Sequence, residues 1–281
     1  MQIRIRIGTR SSPLALAQVK IISDTIKSSW LDAEIITVPI ATSGDKNMSS
    51  FISDPSGVKG LFTLEIEEAL RRREIDIAVH SLKDLPVNID STLPILAYSK
   101  RADPRDVLVG ASTEIKIIGT SSLRRRFQAA KIFPDSKILP LRGNIGTRLR
   151  KLDEGQYSAI ILSAAGLERL GLSKRISRFF EVDEIVPAAG QGILACQGRQ
   201  GEDYSYLDCV NCETSRCCAA AERSFARAIG AGCNVPAGAF AEVHGETLTL
   251  RGIFESHMGI MTGRLEEAET VGKNLAEAVM S

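Results

Sequence analysis

Residues 3–7 alternate apolar and polar side chains, the period of a half-buried strand. Leu14, Leu16, Val19, Ile22 and Ile26 follow at helical spacing, which predicts a helix over 13–30 with Pro13 in its first turn. A strand at 34–40, a helix at 61–73 and a short apolar strand at 75–79 complete a β-α-β-α-β rhythm. That rhythm predicts a largely parallel sheet covered by helices, with ligands bound at the carboxyl ends of its strands. A second rhythm of the same kind places strands at 115–119, 137–141 and 159–162 and helices at 123–132, 145–153 and 165–170. Beyond residue 215 the pattern changes to a helix at 215–229, strands at 240–243, 247–253 and 259–264, and a helix at 271–280.

Two breaks separate these blocks. Lys100-Arg101-Ala102-Asp103-Pro104-Arg105 is polar and aperiodic, and Ala188-Ala189-Gly190-Gln191-Gly192 is a run of small residues. After the second break, residues 193–196 form an apolar run suited to return to the first sheet. The expected fold class is therefore α/β, two lobes joined by a double hinge, plus a small α+β C-terminal domain. Domain 1 is expected over 1–98 and 192–212, domain 2 over 102–188 and domain 3 over 215–281. The Ser/Gly/Asp-rich stretch 42–60 has no period, and a loop of that length reads as a lid or a flap.

Composition narrows the function. With 44% hydrophobic and 25% charged residues among 281, the chain is an ordinary globular protein. No apolar run approaches the roughly 20 residues that span a bilayer, and residues 1–6 read as strand, so a cytoplasmic protein without a membrane partner is expected. A net charge of +1 exerts no global pull on nucleic acid, and 5% aromatics with one Trp offer few stacking platforms, so no nucleic-acid partner is expected. The even total hides an uneven distribution: residues 101–178 hold 16 basic and 7 acidic side chains, a local +9. The six cysteines all lie in the last third. Cys209-x-x-Cys212 with Cys217 and Cys218 lacks a second pair at metal-ligand spacing and a nearby His, so no metal site is expected. Those four and Cys196 receive no specific role.

The candidate chemistry sits where strands run into helices. Gly119-Thr120-Ser121-Ser122-Leu123-Arg124-Arg125 offers backbone N–H groups, hydroxyls and fork-shaped cations to an anion, with a capped helix and a solvated basic face as the alternative. Arg142-Gly143-Asn144 with Arg148 forms a second such start, and Arg169 closes a third unit. Arg10-Ser11-Ser12-Pro13 is the counterpart in the first lobe, where plain capping by Ser11 or Ser12 is the alternative. In His80-Ser81-Leu82-Lys83-Asp84-Leu85-Pro86, Asp84 beside a cation-rich pocket should stay ionised and stabilise a developing positive charge; a simple turn is the alternative. His80 reads as a packed core histidine. Cys233, in Gly230-Ala231-Gly232-Cys233-Asn234-Val235-Pro236, is either a sulfur projecting from a flexible turn or a buried thiol.

Taken together these segments, with Lys59-Gly60-Leu61-Phe62, Ala165-Gly166-Leu167-Glu168-Arg169-Leu170-Gly171 and Gly190-Gln191-Gly192, resemble the porphobilinogen deaminase (hydroxymethylbilane synthase) family, in the family's order over nearly the whole chain. The resemblance implies two lobes like those of periplasmic binding proteins and a third small domain. It implies a transferase of tetrapyrrole biosynthesis that joins four porphobilinogen molecules head to tail, losing ammonia at each step and releasing hydroxymethylbilane. It also implies a dipyrromethane cofactor attached through Cys233, a monomeric state and the following site residues. Lys83, Ser81, Thr120, Ser121, Ser122, Arg124, Arg125, Arg142, Gly143, Asn144 and Arg148 would hold the carboxylates of the cofactor and growing chain. Arg10, Ser12, Gln18, Arg169 and Gln191 would receive porphobilinogen, Asp84 would be catalytic, and Lys59 and Phe62 would stand at the base of the lid. A non-enzymatic anion-binding module is the competing reading; it leaves the Cys233 segment and the third domain unexplained.

Overall fold

The computed structural model describes residues 3–42, 63–110, 114–230 and 235–281. In chain order, strand β1 (Arg4–Arg10), helix α1 (Pro13–Ser29), β2 (Glu34–Ile40), α2 (Leu64–Arg71), β3 (Ile77–Ser81), a one-turn 3-10 helix (Leu82–Asp84) and β4 (Ile95–Tyr98) come first. Next are β5 (Asp106–Gly110), β6 (Ile117–Gly119), α3 (Leu123–Ile132), β7 (Lys137–Leu139), α4 (Ile145–Asp153), β8 (Ala159–Ser163), α5 (Ala164–Arg169) and β9 (Ile176–Phe179). Strand β10 (Leu194–Gln197), helix α6 (Glu213–Ala228), strands β11 (Ala237–His244), β12 (Thr247–Phe254) and β13 (His257–Arg264), and helix α7 (Ala268–Met280) complete the chain.

These elements form two compact units, residues 1–101 with 193–216 and residues 102–192 with 217–281. The first unit is built on a sheet of order β2-β1-β3-β10-β4. Strand β1 pairs in parallel with β2 and β3, whereas β10 runs antiparallel to β3 and β4. Helix α1 lays Val19, Ile22 and Ile26, spaced three and four apart, on Ile5, Ile7, Ile77 and Val79 of the sheet. Each such side chain, fully withdrawn from water, contributes about 1.5–3 kcal/mol.

The second unit holds two sheets. The larger, β7-β6-β8-β5-β9, repeats the pattern of the first unit: three parallel strands, then one antiparallel strand in fourth place. In both sheets that fourth strand directly follows a passage between units, β10 after residue 192 and β5 after residue 101. Each of these two strands runs antiparallel to both of its neighbours. The sheets are therefore mixed, not largely parallel. The smaller sheet is the antiparallel meander β11-β12-β13, covered by Phe225 of α6 and by Val271, Leu275 and Val279 of α7.

Strands β4, β5 and β9 have no counterpart among the elements predicted from periodicity. Val107, Leu108 and Val109 of β5 are buried on both faces, so they carry no alternation to reveal a strand. The chain passes between the units a third time, at residues 216–217 within α6. No described helix is long and apolar enough to cross a membrane.

Candidate active site

In the first unit the candidate residues lie at the carboxyl ends of β1 and β3. Ser12 caps α1 by accepting the Ala15 N–H at 3.3 Å, with Arg10 just ahead of it at the end of β1. Gln18, buried on the second turn of α1, donates from Nε2 to Ser81 Oγ at 2.7 Å and ties the helix to the end of β3. The 3-10 turn carrying Lys83 and Asp84 is pinned on both sides. Leu82 and Leu85 are buried, the Leu82 N–H donates to the Ile193 carbonyl at 3.0 Å, and the Leu85 N–H closes the turn on Leu82 O at 3.1 Å. Lys83 is left half-buried and Asp84 exposed, so a carboxylate stands on rigid backbone at the rim of a buried strand.

His80, two residues before this turn, is 6% exposed. Burial pushes its imidazole down to about 4, with Gln197 opposing the shift and Arg10 adding to it. A neutral buried histidine stabilises the fold fully above its unfolded value of about 6.5, and that contribution is lost as pH falls through the folded value. Acidification from pH 6.5 to 4 is expected to remove roughly 3 kcal/mol through His80. Urea unfolding of His80→Gln should show a correspondingly flatter pH dependence over that interval; parallel curves for variant and wild type would refute it.

In the second unit two helix starts carry the candidate donors. Ser122 caps α3, accepting from Arg125 N at 3.4 Å, while Ser121 Oγ donates to Leu141 O at 2.9 Å and Thr120 Oγ1 receives the Ser122 N–H at 3.3 Å. Asn144 caps α4 through Oδ1 on the Thr147 N–H at 2.8 Å. Gly143 before it has φ +118°, and a Cβ there would stand 2.7 Å from the Thr147 methyl carbon. Arg148 folds back to donate to the Gly143 carbonyl at 2.7 Å, and Arg142 is exposed. Arg169 donates to Gly192 O at 2.6 Å, and burial lowers its guanidinium to about 10, so it is charged at neutral pH.

Arg124 and Arg125 do not form a solvated basic face. They are 5% and 7% exposed, and both meet the fully buried Asp106, Arg124 Nη1 at 2.7 Å from Oδ2 and Arg125 Nη2 at 2.7 Å from Oδ1. Burial alone would raise the Asp106 carboxyl; the two guanidiniums outweigh it and hold the group well below the usual carboxylate range. Gln191 joins this cluster, donating to Asp106 Oδ1 at 2.9 Å and to Pro104 O at 2.7 Å. Other cations of the basic stretch pair at the surface, Arg150 with Glu154 and Arg175 with Asp153. The local excess is thus divided among interior, helix starts and surface. Asp106 is the residue that sequence reasoning passed over, because it directly follows the polar break and begins a strand without alternation.

Cys233, Lys59 and Phe62, and the lid stretch beyond Thr42, lie outside the described residues. Among the described residues, no cluster of three or more His, Cys, Asp or Glu is gathered as for a metal ion. Cys196 is buried between strands, its thiol pushed up to about 12 by burial, which makes it an inert packing group.

The fold defines a class: α/β, with two lobes of one strand order and a small α+β C-terminal domain, carrying cationic and N–H donors at its helix starts. The family model described as porphobilinogen deaminase, dipyromethane cofactor binding domain, matches residues 5–206, and that of the porphobilinogen deaminase C-terminal domain matches residues 216–281. The chain belongs to the porphobilinogen deaminase family. It is 46% identical to the porphobilinogen deaminase of Acetivibrio thermocellus over 283 residues, covering 97% of each chain. It is 42% identical to that of Ruminiclostridium cellulolyticum over 288 residues, covering 99% of this chain and 98% of that one. Among solved structures, it is similar to the BenM effector binding domain with TM-score 0.45 and 16% identity, covering 75% of this chain and 89% of that one.

Proposed function

We propose that the protein is a hydroxymethylbilane synthase, a transferase of tetrapyrrole biosynthesis. It joins four porphobilinogen molecules head to tail on a dipyrromethane primer, releases one ammonia per addition and frees the linear product with water. Both family models and the relatives at 42–46% identity support this reading. The structural observation that carries it is Asp84, an exposed carboxylate fixed at the rim of β3 by the buried Leu82 and Leu85.

The donor set fits dipyrromethane, whose acetate and propionate arms require cations and N–H groups. Ser122 and Asn144 open two helices, and Arg142 and Arg148 flank the second. Cys233 would hold the group as a thioether, with Lys83, Ser81 and the two helix starts on its carboxylates. When bound, dipyrromethane supplies the pyrrole terminus to which the first unit is joined.

Arg10, Ser12 and Arg169 orient the incoming substrate, and the buried Gln18 and Gln191 act behind them, on Ser81 and on Asp106. The Ser12 hydroxyl accepts the Ala15 N–H and keeps its own proton for a carboxylate. Gln18 keeps Ser81 in register with α1. As ammonia leaves the aminomethyl carbon of porphobilinogen, positive charge spreads over the substrate pyrrole; the Asp84 carboxylate stabilises it and accepts the pyrrole N–H. Every addition brings two more carboxylates, which the arginines at the helix starts, Arg142 and Arg148, would receive.

The reading further takes 1–98 with 192–212, 102–188 and 215–281 as three domains, and the protein as a cytoplasmic monomer. Intact-mass measurement tests the activity. Protein produced with adequate precursor is expected to weigh more than its sequence by one two-pyrrole adduct and to release a tetrapyrrole from porphobilinogen. Unmodified protein that leaves porphobilinogen unchanged would overturn it.

A further inference from the structure

We propose that Asp106 is a positioning residue of the polycarboxylate site: it aligns the guanidiniums of Arg124 and Arg125 and, through Gln191, fixes them to the second passage of the chain. The inference rests on reading those two arginines as carboxylate anchors.

Asp106 is the first residue of β5 and is wholly buried. Its Oδ1 receives three N–H groups, Arg125 Nε at 3.0 Å, Arg125 Nη2 at 2.7 Å and Gln191 Nε2 at 2.9 Å, while Oδ2 faces Arg124 Nη1 at 2.7 Å. Each guanidinium has a second anchor that fixes its plane, Arg124 on the Val186 carbonyl at 2.6 Å and Arg125 on the Ile161 carbonyl at 3.1 Å. The cluster thereby joins α3, β5, β8 and the first two of the three segments that pass between units. Ala102 N adds a hydrogen bond to Gly192 O at 3.1 Å beside it.

Charge distinguishes this cluster from a structural ion pair. Two guanidiniums share one carboxylate, so these three groups together carry a charge of +1. Replacing a buried ion cluster by apolar groups is often neutral or stabilising, and a charge left without a partner adds a desolvation cost. A surplus cation held at the start of a helix, with guanidinium N–H groups still available beyond those on Asp106 and the carbonyls, suits a further carboxylate from a ligand. Asp106 neutralises one charge and orients both forks; the ligand would supply the second anion. Arg126, the next residue, is exposed and takes no part.

The test uses the full chain. Asp106→Asn keeps the acceptor toward Arg125 and Gln191 but presents Arg124 with an amide. We expect this variant to fold, to carry the two-pyrrole adduct on less than half of its molecules by intact mass, and to show a KM for porphobilinogen at least tenfold higher with kcat changed less than threefold. A purely structural role would lower the unfolding temperature and the active fraction without moving KM. Arg125→Lys covers the case in which Asp106→Asn does not fold: it keeps the charge but loses the two-point contact with Asp106, and its KM should also rise at least tenfold. Wild-type KM and full adduct occupancy in the variant that folds overturn the inference. Wild-type protein that itself lacks the adduct overturns the underlying reading instead.

Discussion

Asp84→Asn will purify with the two-pyrrole adduct in place and turn over porphobilinogen at least about a hundredfold more slowly, in line with the loss of a positioned acid–base or electrostatic group. The substitution removes charge and leaves the turn intact, because the turn is held by Leu82, Leu85 and the Ile193 carbonyl and not by the Asp84 side chain. Separation of the two outcomes is the point of the experiment. Intact mass reports whether the primer is present, and a single-turnover assay with porphobilinogen reports whether the first addition occurs. Wild-type turnover in the variant would remove Asp84 from the reaction and shift attention to Lys83.

Cys233→Ser is expected to fold and to lack the adduct completely, with no measurable tetrapyrrole formation. A hydroxyl is a far weaker nucleophile than a thiolate, so serine does not take over the linkage. The described cysteines provide the contrast. Cys196 is buried and its thiol is pushed up to about 12, whereas Cys212 at the start of α6 is lowered, burial being outweighed by hydrogen bonds from Ser215 and Thr214. Peptide mapping of the adduct would decide between them: attachment at Cys212, or an adduct that survives Cys233→Ser, would contradict the assignment.

Much of this protein is legible in its residue pattern, for reasons that differ by element. Helix α1 shows itself because Val19, Ile22 and Ile26 face one sheet, and Ser12 marks its start by chemistry that any chain would use. The helix starts at Ser122 and Asn144 are equally plain, since a capping side chain precedes each apolar stripe. Strand β5 is hidden because both of its faces are covered, and with it Asp106, whose partners lie 18 to 85 positions away. Periodicity reports one residue's surroundings along the chain, and a buried ion cluster is made across it. Arg124 and Arg125 illustrate the consequence: sequence places them correctly at a helix start and says nothing of the carboxylate beneath them.

The order of strands bears on how the chain assembles during synthesis. The sheet of residues 106–179 is contiguous in sequence, whereas the sheet of β1, β2, β3 and β4 lacks its fourth strand in spatial order until Leu194–Gln197 has been made. On the ribosome β3 and β4 therefore wait, with unpaired edges, while nearly a hundred later residues are added. The part of the chain made first is completed after the part made second, and during that interval the nascent amino-terminal lobe is the portion most exposed to wrong pairing.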